Sequence, residues 1–254
     1  MDQTRTPPAE RPLSWYRSLK TIEGRHQEQA FLVEGLRAIE QINAIKPSAI
    51  IEFLTIDKCN TTPFTQCPTR LLSARQYNSI SPAKNPAGTM AVVRLPENIE
   101  QAQIPDSPQI LLLEDVQDPG NVGALIRSAA AFNFNGVIIN DKCADPFGPK
   151  AVAASAGAVL SVWIRRTVSM TTIAATLKQS GYHIIATDLQ GSESLQLESR
   201  QKYALALGNE GNGLSNELRN QATIRFKIPI DQHNVQSLNV AACGAIAMYL
   251  IKNR

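Results

Sequence analysis

Three short segments in the second half of the chain carry residue types suited to holding a ligand. They read DPGNVGALIRSAAAF (118–132), ALGNEGNGLSNEL (206–218) and IPIDQHNVQSLNVAACGAIAMY (228–249). Glycines let backbone take positive φ or pass close to a bound group. Asn121, Asn209, Glu210, Ser237 and Asn239 add short hydrogen-bonding side chains, and Arg127 adds a guanidinium that stays protonated. Each segment sits where an apolar, strand-like run hands over to a helix-like run, the kind of junction at which parallel sheets build ligand sites. This arrangement argues for an enzyme over a scaffold.

The spacing also argues against several chemistries. GNEGNG (208–213) lacks the G-K-[ST] ending of a P-loop, so no lysine reaches a phosphate. It is not a G-x-G-x-x-G fingerprint and comes late in the chain, against a dehydrogenase. Cys59, Cys67, Cys143 and Cys243 form no C-x-x-C pair, and His26, His183 and His233 are far apart, so no metal site is expected. Taken singly, each polar residue has a plainer use. Arg127 fits an exposed helix charge, Asn121 a helix N-cap, Glu210 a solvated loop charge, and Ser237 or Asn239 a cap for the last helix.

The elements that must position these residues follow from pattern. After residue 108 strands and helices alternate. QILLLED (109–115) is a continuous apolar strand suited to burial on both faces. A helix begins near Asn121, with Val122, Leu125, Ile126 and Ala129 at helical spacing. GVIIN, YHIIATD, YALALGNE and TIRFKIPI read as strands; KAVAASAGAV, TTIAATLKQSG, LSNELRNQA and SLNVAACGAIAMYLIKN read as helices. Such alternation implies an α/β domain with a parallel sheet and right-handed crossovers. Upstream, FLVEG, AIIEFLTI and GTMAVVRL are strand candidates, GLRAIEQINAI is a helix with one apolar face, and TPFTQCP and SPAKNPAG are loops. The expected organisation is a short disordered tail (1–13), a small α/β domain (14–95), a proline-bearing linker (96–108) and the α/β domain (109–254).

Length and composition set the outer limits. A chain of 254 residues, 43% hydrophobic and 19% charged, can bury one large core or two smaller ones. No apolar run approaches a membrane span, and the opening MDQTRTPPAERP has no signal-peptide core. The scattered cysteines fit reduced thiols in the cytoplasm. A net charge of +3 permits a nucleic-acid partner without demanding one. The densest basic stretch, Arg11, Arg17, Lys20, Arg25 and His26 around Trp15 and Tyr16, fits either a solvated entry segment with one aromatic on the core or a nucleic-acid contact surface.

Together, Asn121-Val-Gly-Ala-Leu-Ile-Arg127, Gly208-Asn-Glu210-Gly-Asn-Gly213 and Ile228-Pro-Ile followed by Ser237-Leu-Asn-Val240 resemble the three motifs of the SpoU (TrmH-like) branch of the SPOUT RNA methyltransferases. The resemblance covers about residues 109–254. More weakly, 25–95 resembles the substrate-binding domain often fused ahead of it. The resemblance implies a trefoil knot at the C-terminus, S-adenosylmethionine as cofactor, and methyl transfer to a ribose 2′-hydroxyl of RNA, with 23S rRNA favoured over tRNA. It implies catalytic roles for Arg127, Asn121, Glu210, Ser237 and Asn239, and cofactor contacts from Gly208, Asn209, Ile228, Pro229 and Leu238. A homodimer is also implied, each site drawing on both subunits. Two other readings stay in view: a catalytically silent RNA-binding or assembly relative, and base methylation at N1 of guanine.

Overall fold

The computed structural model describes residues 11–56, 67–97, 99–101, 103–231 and 233–253. The expected loop at 62–68 and most of the expected tail, with Cys59, fall largely outside them. The described residues divide into two compact units, those of Met1–Pro96 with Phe147–Leu160 and those of Glu97–Pro146 with Ser161–Arg254. The stretch 109–254 is therefore not one unbroken unit, because 147–160 packs with the first.

In the first unit, α1 (Leu13–Ser18), α2 (Ile22–Glu28), β1 (Ala30–Glu34), α3 (Leu36–Ile45), β2 (Ile50–Thr55), β3 (Thr69–Leu71), α4 (Ala74–Ile80) and β4 (Thr89–Arg94) follow in order. The sheet runs β1-β4-β2-β3, with β4 antiparallel to both neighbours and β3 parallel to β2. Leu32, Leu54, Met90 and Val92 form a core with Tyr16, Leu19 and Tyr77. The basic entry stretch is thus largely internal scaffolding. Tyr16 is fully buried, Arg25 donates to Leu19 O at 3.0 Å, and Lys20 donates to Ser81 O at 2.8 Å. Arg11 is also engaged, against Glu52, so order begins before the expected end of the tail.

The second unit contains β5 (Gln109–Leu113), α5 (Pro119–Ala131), β6 (Gly136–Asn140), β7 (Trp163–Thr167), α7 (Met170–Gln179), β8 (Tyr182–Ser192), β9 (Lys202–Leu207), α8 (Asn216–Gln221), β10 (Ile224–Phe226) and α9 (Val240–Lys252). The intervening α6 (Pro149–Ser155) packs on β1 in the first unit. All six strands are parallel, in the order β10-β8-β9-β5-β6-β7. Every residue of β5 and β6 is buried, as strands covered on both faces require. Ile110, Leu112, Ile138, Ile184 and Ala204 meet Ala174, Leu177 and Leu218 on one face. On the other, α9 packs against α5 and β9 so closely that a Cβ on Gly244 would lie 2.3 Å from Leu125 Cδ2 and 2.6 Å from Leu207 Cδ1.

Two expectations need correction. Residues 96–108 are not a free linker: Ile99 and Ser107 are buried, Ile99 O accepts from Arg166 N at 2.8 Å, and Gln103 O accepts from Arg165 Nε at 3.3 Å. The carbonyls of Ile99 and Gln103 are satisfied by β7, which the prolines alone do not reveal. The strand expected through TIRFKIPI stops at Phe226, and residues 227–239 continue without regular structure among the described residues. Pro229 has no N–H to extend a ladder there.

Candidate active site

The three polar segments converge on the C-terminal ends of β5 and β9, adjacent strands at the centre of the six-stranded sheet. The chain winds from β5 outward through β6 and β7, then resumes on the far side of β9, so the loops diverge there and open a crevice.

The first segment enters α5 through Asp118, whose carboxylate accepts from Asn121 N at 3.0 Å, with proline in the first turn. Asp118, not Asn121, is the N-cap, and the helix starts at Pro119. The Asn121 side chain is thereby available for two other bonds. Its Nδ2 donates to Glu210 Oε1 at 3.0 Å, and its Oδ1 accepts from Asn239 Nδ2 at 3.0 Å. Asn239 in turn caps α9, its Oδ1 accepting from Ala241 N at 2.9 Å and Ala242 N at 3.3 Å. One relay of side chains ties all three segments together.

Glu210 completes the relay from the second segment, with the backbone N–H groups of Gln117 and Asp118 at 3.5 and 3.4 Å. Burial pushes its carboxyl up, but the bonds from Asn121 and the backbone outweigh burial and hold it below the usual range. Glu210 is therefore ionised at neutral pH and a weak proton acceptor.

The loop bearing Glu210 is closed on itself. Asn209 and Gly213 exchange backbone hydrogen bonds of 3.0 and 2.9 Å, and Asn209 Oδ1 accepts from Gly211 N and Asn212 N. Asn209 Nδ2 anchors the loop to Asp115 O at 2.9 Å. Gly208 is required for this closure, since a Cβ there would fall 2.2 Å from Gly213 C and 2.3 Å from Leu214 N. At the loop's far end Glu114 accepts from both Ser215 N and Ser215 Oγ, at 2.7 and 2.8 Å.

This loop, the end of β8, Phe226, Val240 and part of the irregular stretch between them enclose a cavity of about 460 Å³. Of the expected cofactor contacts, Gly208, Asn209, Ile228 and Leu238 line it, whereas Pro229 is not among its lining residues. Glu210 and Ser237 also line it, and Asn121 and Asn239 adjoin it through Glu210. Ser237 precedes α9 without capping it. Arg127 stands apart. It is exposed on α5, six residues past Asn121 and so about 120° away around the helix, and its side chain has no polar partner among the described residues.

Several cavity and loop residues escaped the sequence reading. Asp188, on β8, has a side chain 7% exposed and pairs with Arg219 at 3.6 Å and with Arg225. Burial raises its carboxyl, but the Gln190 N–H and the two guanidinium groups bring it below the usual aspartate range. Cys243 lines the cavity from α9, its thiol pushed up by burial. Glu114 and Asp188 each end an apolar run as an acid, a signal that marks a strand end and nothing more specific. Among the described residues no cluster fits a metal ion, and no helix is long and apolar enough to cross a membrane.

Residues 108–249 match the model of the SpoU rRNA Methylase family. The chain belongs to this family. It is 27% identical over 241 residues to the 23S rRNA (guanosine(2553)-2'-O)-methyltransferase RlmP of Bacillus subtilis (strain 168), covering 93% of this chain and 94% of the relative. It also resembles a TrmH-family protein from Porphyromonas gingivalis, at 29% identity and TM-score 0.81, over 95% of this chain and 98% of the other. The SpoU methyltransferase AviRb from Streptomyces viridochromogenes, solved with AdoMet, shares the fold at TM-score 0.82 and 23% identity, over 96% and 98% of the two chains. The α/β architecture with a parallel-sheet domain and a smaller domain is the architecture of SpoU methyltransferases.

Proposed function

We propose that this SpoU family member transfers a methyl group from S-adenosylmethionine to a ribose 2′-hydroxyl of RNA, with 23S rRNA as the substrate class in preference to tRNA. The observation that carries the reading is the Glu210–Asn121–Asn239 relay, which joins three motif segments at a cavity of suitable size. A volume of about 460 Å³ lies within the range of roughly 300–1,000 Å³ common for small-ligand sites. The lining fits the cofactor chemically. Peptide groups of 208–213 face it, Leu214, Phe226, Ile228 and Leu238 offer apolar surface, and the ionised Glu210 suits a nearby sulfonium.

When bound, S-adenosylmethionine supplies an electrophilic methyl group. A ribose hydroxyl is a weak nucleophile until its proton leaves. Arg127, a guanidinium without a polar partner among the described residues, grips the RNA phosphate and stabilises the developing alkoxide, while phosphate or water takes the proton. Glu210 is too acidic to serve as the base; it holds Asn121, and through it the start of α5, in place. Ser237 presents a hydroxyl at the cavity wall toward the ribose or cofactor.

The stretch between β10 and α9, from which Ile228, Ile230, Ser237 and Leu238 line the cavity, is where the family's trefoil knot would form. A homodimer and a cytoplasmic location belong to the same reading. The exposed Ile246, Tyr249 and Leu250 give α9 an apolar stripe for a second copy, which would supply Arg127 with neighbours. The test is calorimetry with S-adenosylmethionine, followed by transfer of a labelled methyl group to rRNA lacking the modification. Binding and a 2′-O-methylated nucleoside are expected. Lack of affinity, with and without RNA, favours a silent RNA-binding relative, and a base-methylated product favours N1-guanine chemistry.

A further inference from the structure

Asp115 takes a backbone φ of 57°, in the left-handed region that residues with a Cβ rarely enter. Gln29 and Ala156 also lie there, but as helix C-caps, where such a turn is routine. Asp115 ends no helix. It stands two residues past the end of β5, and a strained residue of this kind persists only where its surroundings over-determine it.

Those surroundings are a buried carboxamide, Asn140, at the end of β6. Asn140 Oδ1 accepts from Asp115 N at 2.9 Å, and Asn140 Nδ2 donates to Asp115 Oδ1. Lys142 Nζ pairs with the other carboxylate oxygen at 3.4 Å. The N–H and the side chain of Asp115 are thus both committed toward β6. Its carbonyl is committed the other way, beyond the end of β9, where it accepts from Asn209 Nδ2 at 2.9 Å. Since β5 lies between β6 and β9, this one residue bridges the ends of both neighbours.

What it holds is the glycine loop, because residues 208–214 all line the cavity, whereas Asp115 and Asn140 are not among its lining residues. Asn209 uses its carboxamide oxygen on Gly211 N and Asn212 N and its amide nitrogen on Asp115, so one side chain both shapes the turn and anchors it. Glu114 fixes the flanks of the loop. Its N–H donates to Leu207 O at 2.9 Å, and its carboxylate accepts from Ser215 N and Oγ. Between those flanks the loop is tied down through Asn209 on Asp115 and through Glu210 on Asn121.

We infer that Asp115 is a positioning residue for the cofactor site: clamped by Asn140 into a left-handed turn, it aims its carbonyl at Asn209 and so fixes the wall against which S-adenosylmethionine binds. This rests on the S-adenosylmethionine reading above and adds to it a control point outside the cavity. Without the clamp, a residue with a Cβ returns to the more stable right-handed or extended regions. The apparent Kd then rises as the fraction of molecules holding the loop in place falls.

The test uses the full chain with three substitutions at Asp115, calorimetry with S-adenosylmethionine, and initial rates on rRNA lacking the modification. Asp115→Ala removes the clamp but keeps the Cβ, and is expected to raise Kd by roughly tenfold. Asp115→Asn tolerates positive φ and presents an oxygen to Asn140 Nδ2, so it should restore wild-type affinity. Asp115→Gly takes positive φ freely without a clamp and should fall between them, at about threefold. It also decides the question should the alanine variant not fold. In rate assays the loss should appear as a higher KM for S-adenosylmethionine with kcat changed far less, a split that a general loss of stability would not produce. Wild-type affinity in every Asp115 variant that folds, equal losses in all three, or a fall in kcat with KM unchanged overturns the positioning role and leaves the methyltransferase reading standing. No cofactor binding by the wild-type chain overturns both.

Discussion

Asn121 and Glu210 stand 89 positions apart in sequence, yet Asn121 Nδ2 donates to Glu210 Oε1 at 3.0 Å. The same Asn121 accepts from Asn239, so a single carboxamide links the helix start, the glycine loop and the cap of the last helix. This bond separates the residues that hold the site together from the one left free to act.

Arg127 is the free one. Because its side chain makes no polar contact among the described residues, Arg127→Ala is expected to leave Tm and S-adenosylmethionine affinity near wild type. Methyl transfer should fall by roughly 10²–10³-fold or more, the usual cost of losing a charge-stabilising donor. Single-turnover assays beside a thermal melt check this, and substantial retained activity would remove Arg127 from the mechanism.

Asn239 has two jobs that two substitutions separate. Asn239→Ala loses both, and the lost cap should cost about 0.5–2 kcal/mol. Asn239→Asp keeps an acceptor for Ala241 N and Ala242 N but replaces the donor facing Asn121 Oδ1. Its Tm should stay close to wild type while kcat drops. Equal activity in Asn239→Asp and wild type would mean the relay has no part in turnover.

Gly208 and Gly211 lie three residues apart in one loop and should respond differently to alanine. At Gly208 the new Cβ meets the Gly213 and Leu214 backbone, and overpacking of this kind costs about 1–3 kcal/mol. At Gly211 the nearest atom, Asn209 Oδ1, is at an ordinary 3.5 Å. Chemical denaturation should show a loss for Gly208→Ala with weakened cofactor binding, and little change in stability for Gly211→Ala.

How much of this was legible in the sequence follows the range of the interactions. The three motif segments and the helical spacing of Val122, Leu125, Ile126 and Ala129 are local, and each was readable. Asp118 and Asn121 are both good capping residues three apart, so type alone did not show which one caps α5. The Asp188 pair with Arg219 and Arg225, and the Glu114 latch on Ser215, join residues far apart in the chain. Their sequence surroundings show only strand ends. Residues 96–108 read as a linker because prolines speak locally, whereas the β7 arginine and backbone groups that tie them down do not.

The Asp188 cluster carries a pH signature. Its carboxyl is held below the ordinary aspartate value of about 3.9, so its stabilising contribution is complete above that pH and is lost as pH falls through the lower folded value. Asp188→Asn should lower Tm at pH 7, and the wild-type and variant curves should converge below about pH 4. A constant gap between the two curves at all pH values would show that the ion pairs contribute no linked stability.

The relay and Arg127 are proposed to serve ribose methylation of RNA. The most direct measurement is a ribose-methylation map of total RNA from source cells with the gene, without it, and complemented by wild type or by Arg127→Ala. One 2′-O-methyl site in 23S rRNA is expected to disappear with the gene, return with wild type and stay absent with Arg127→Ala. Identical maps in all four strains, or a site restored by Arg127→Ala, would contradict it.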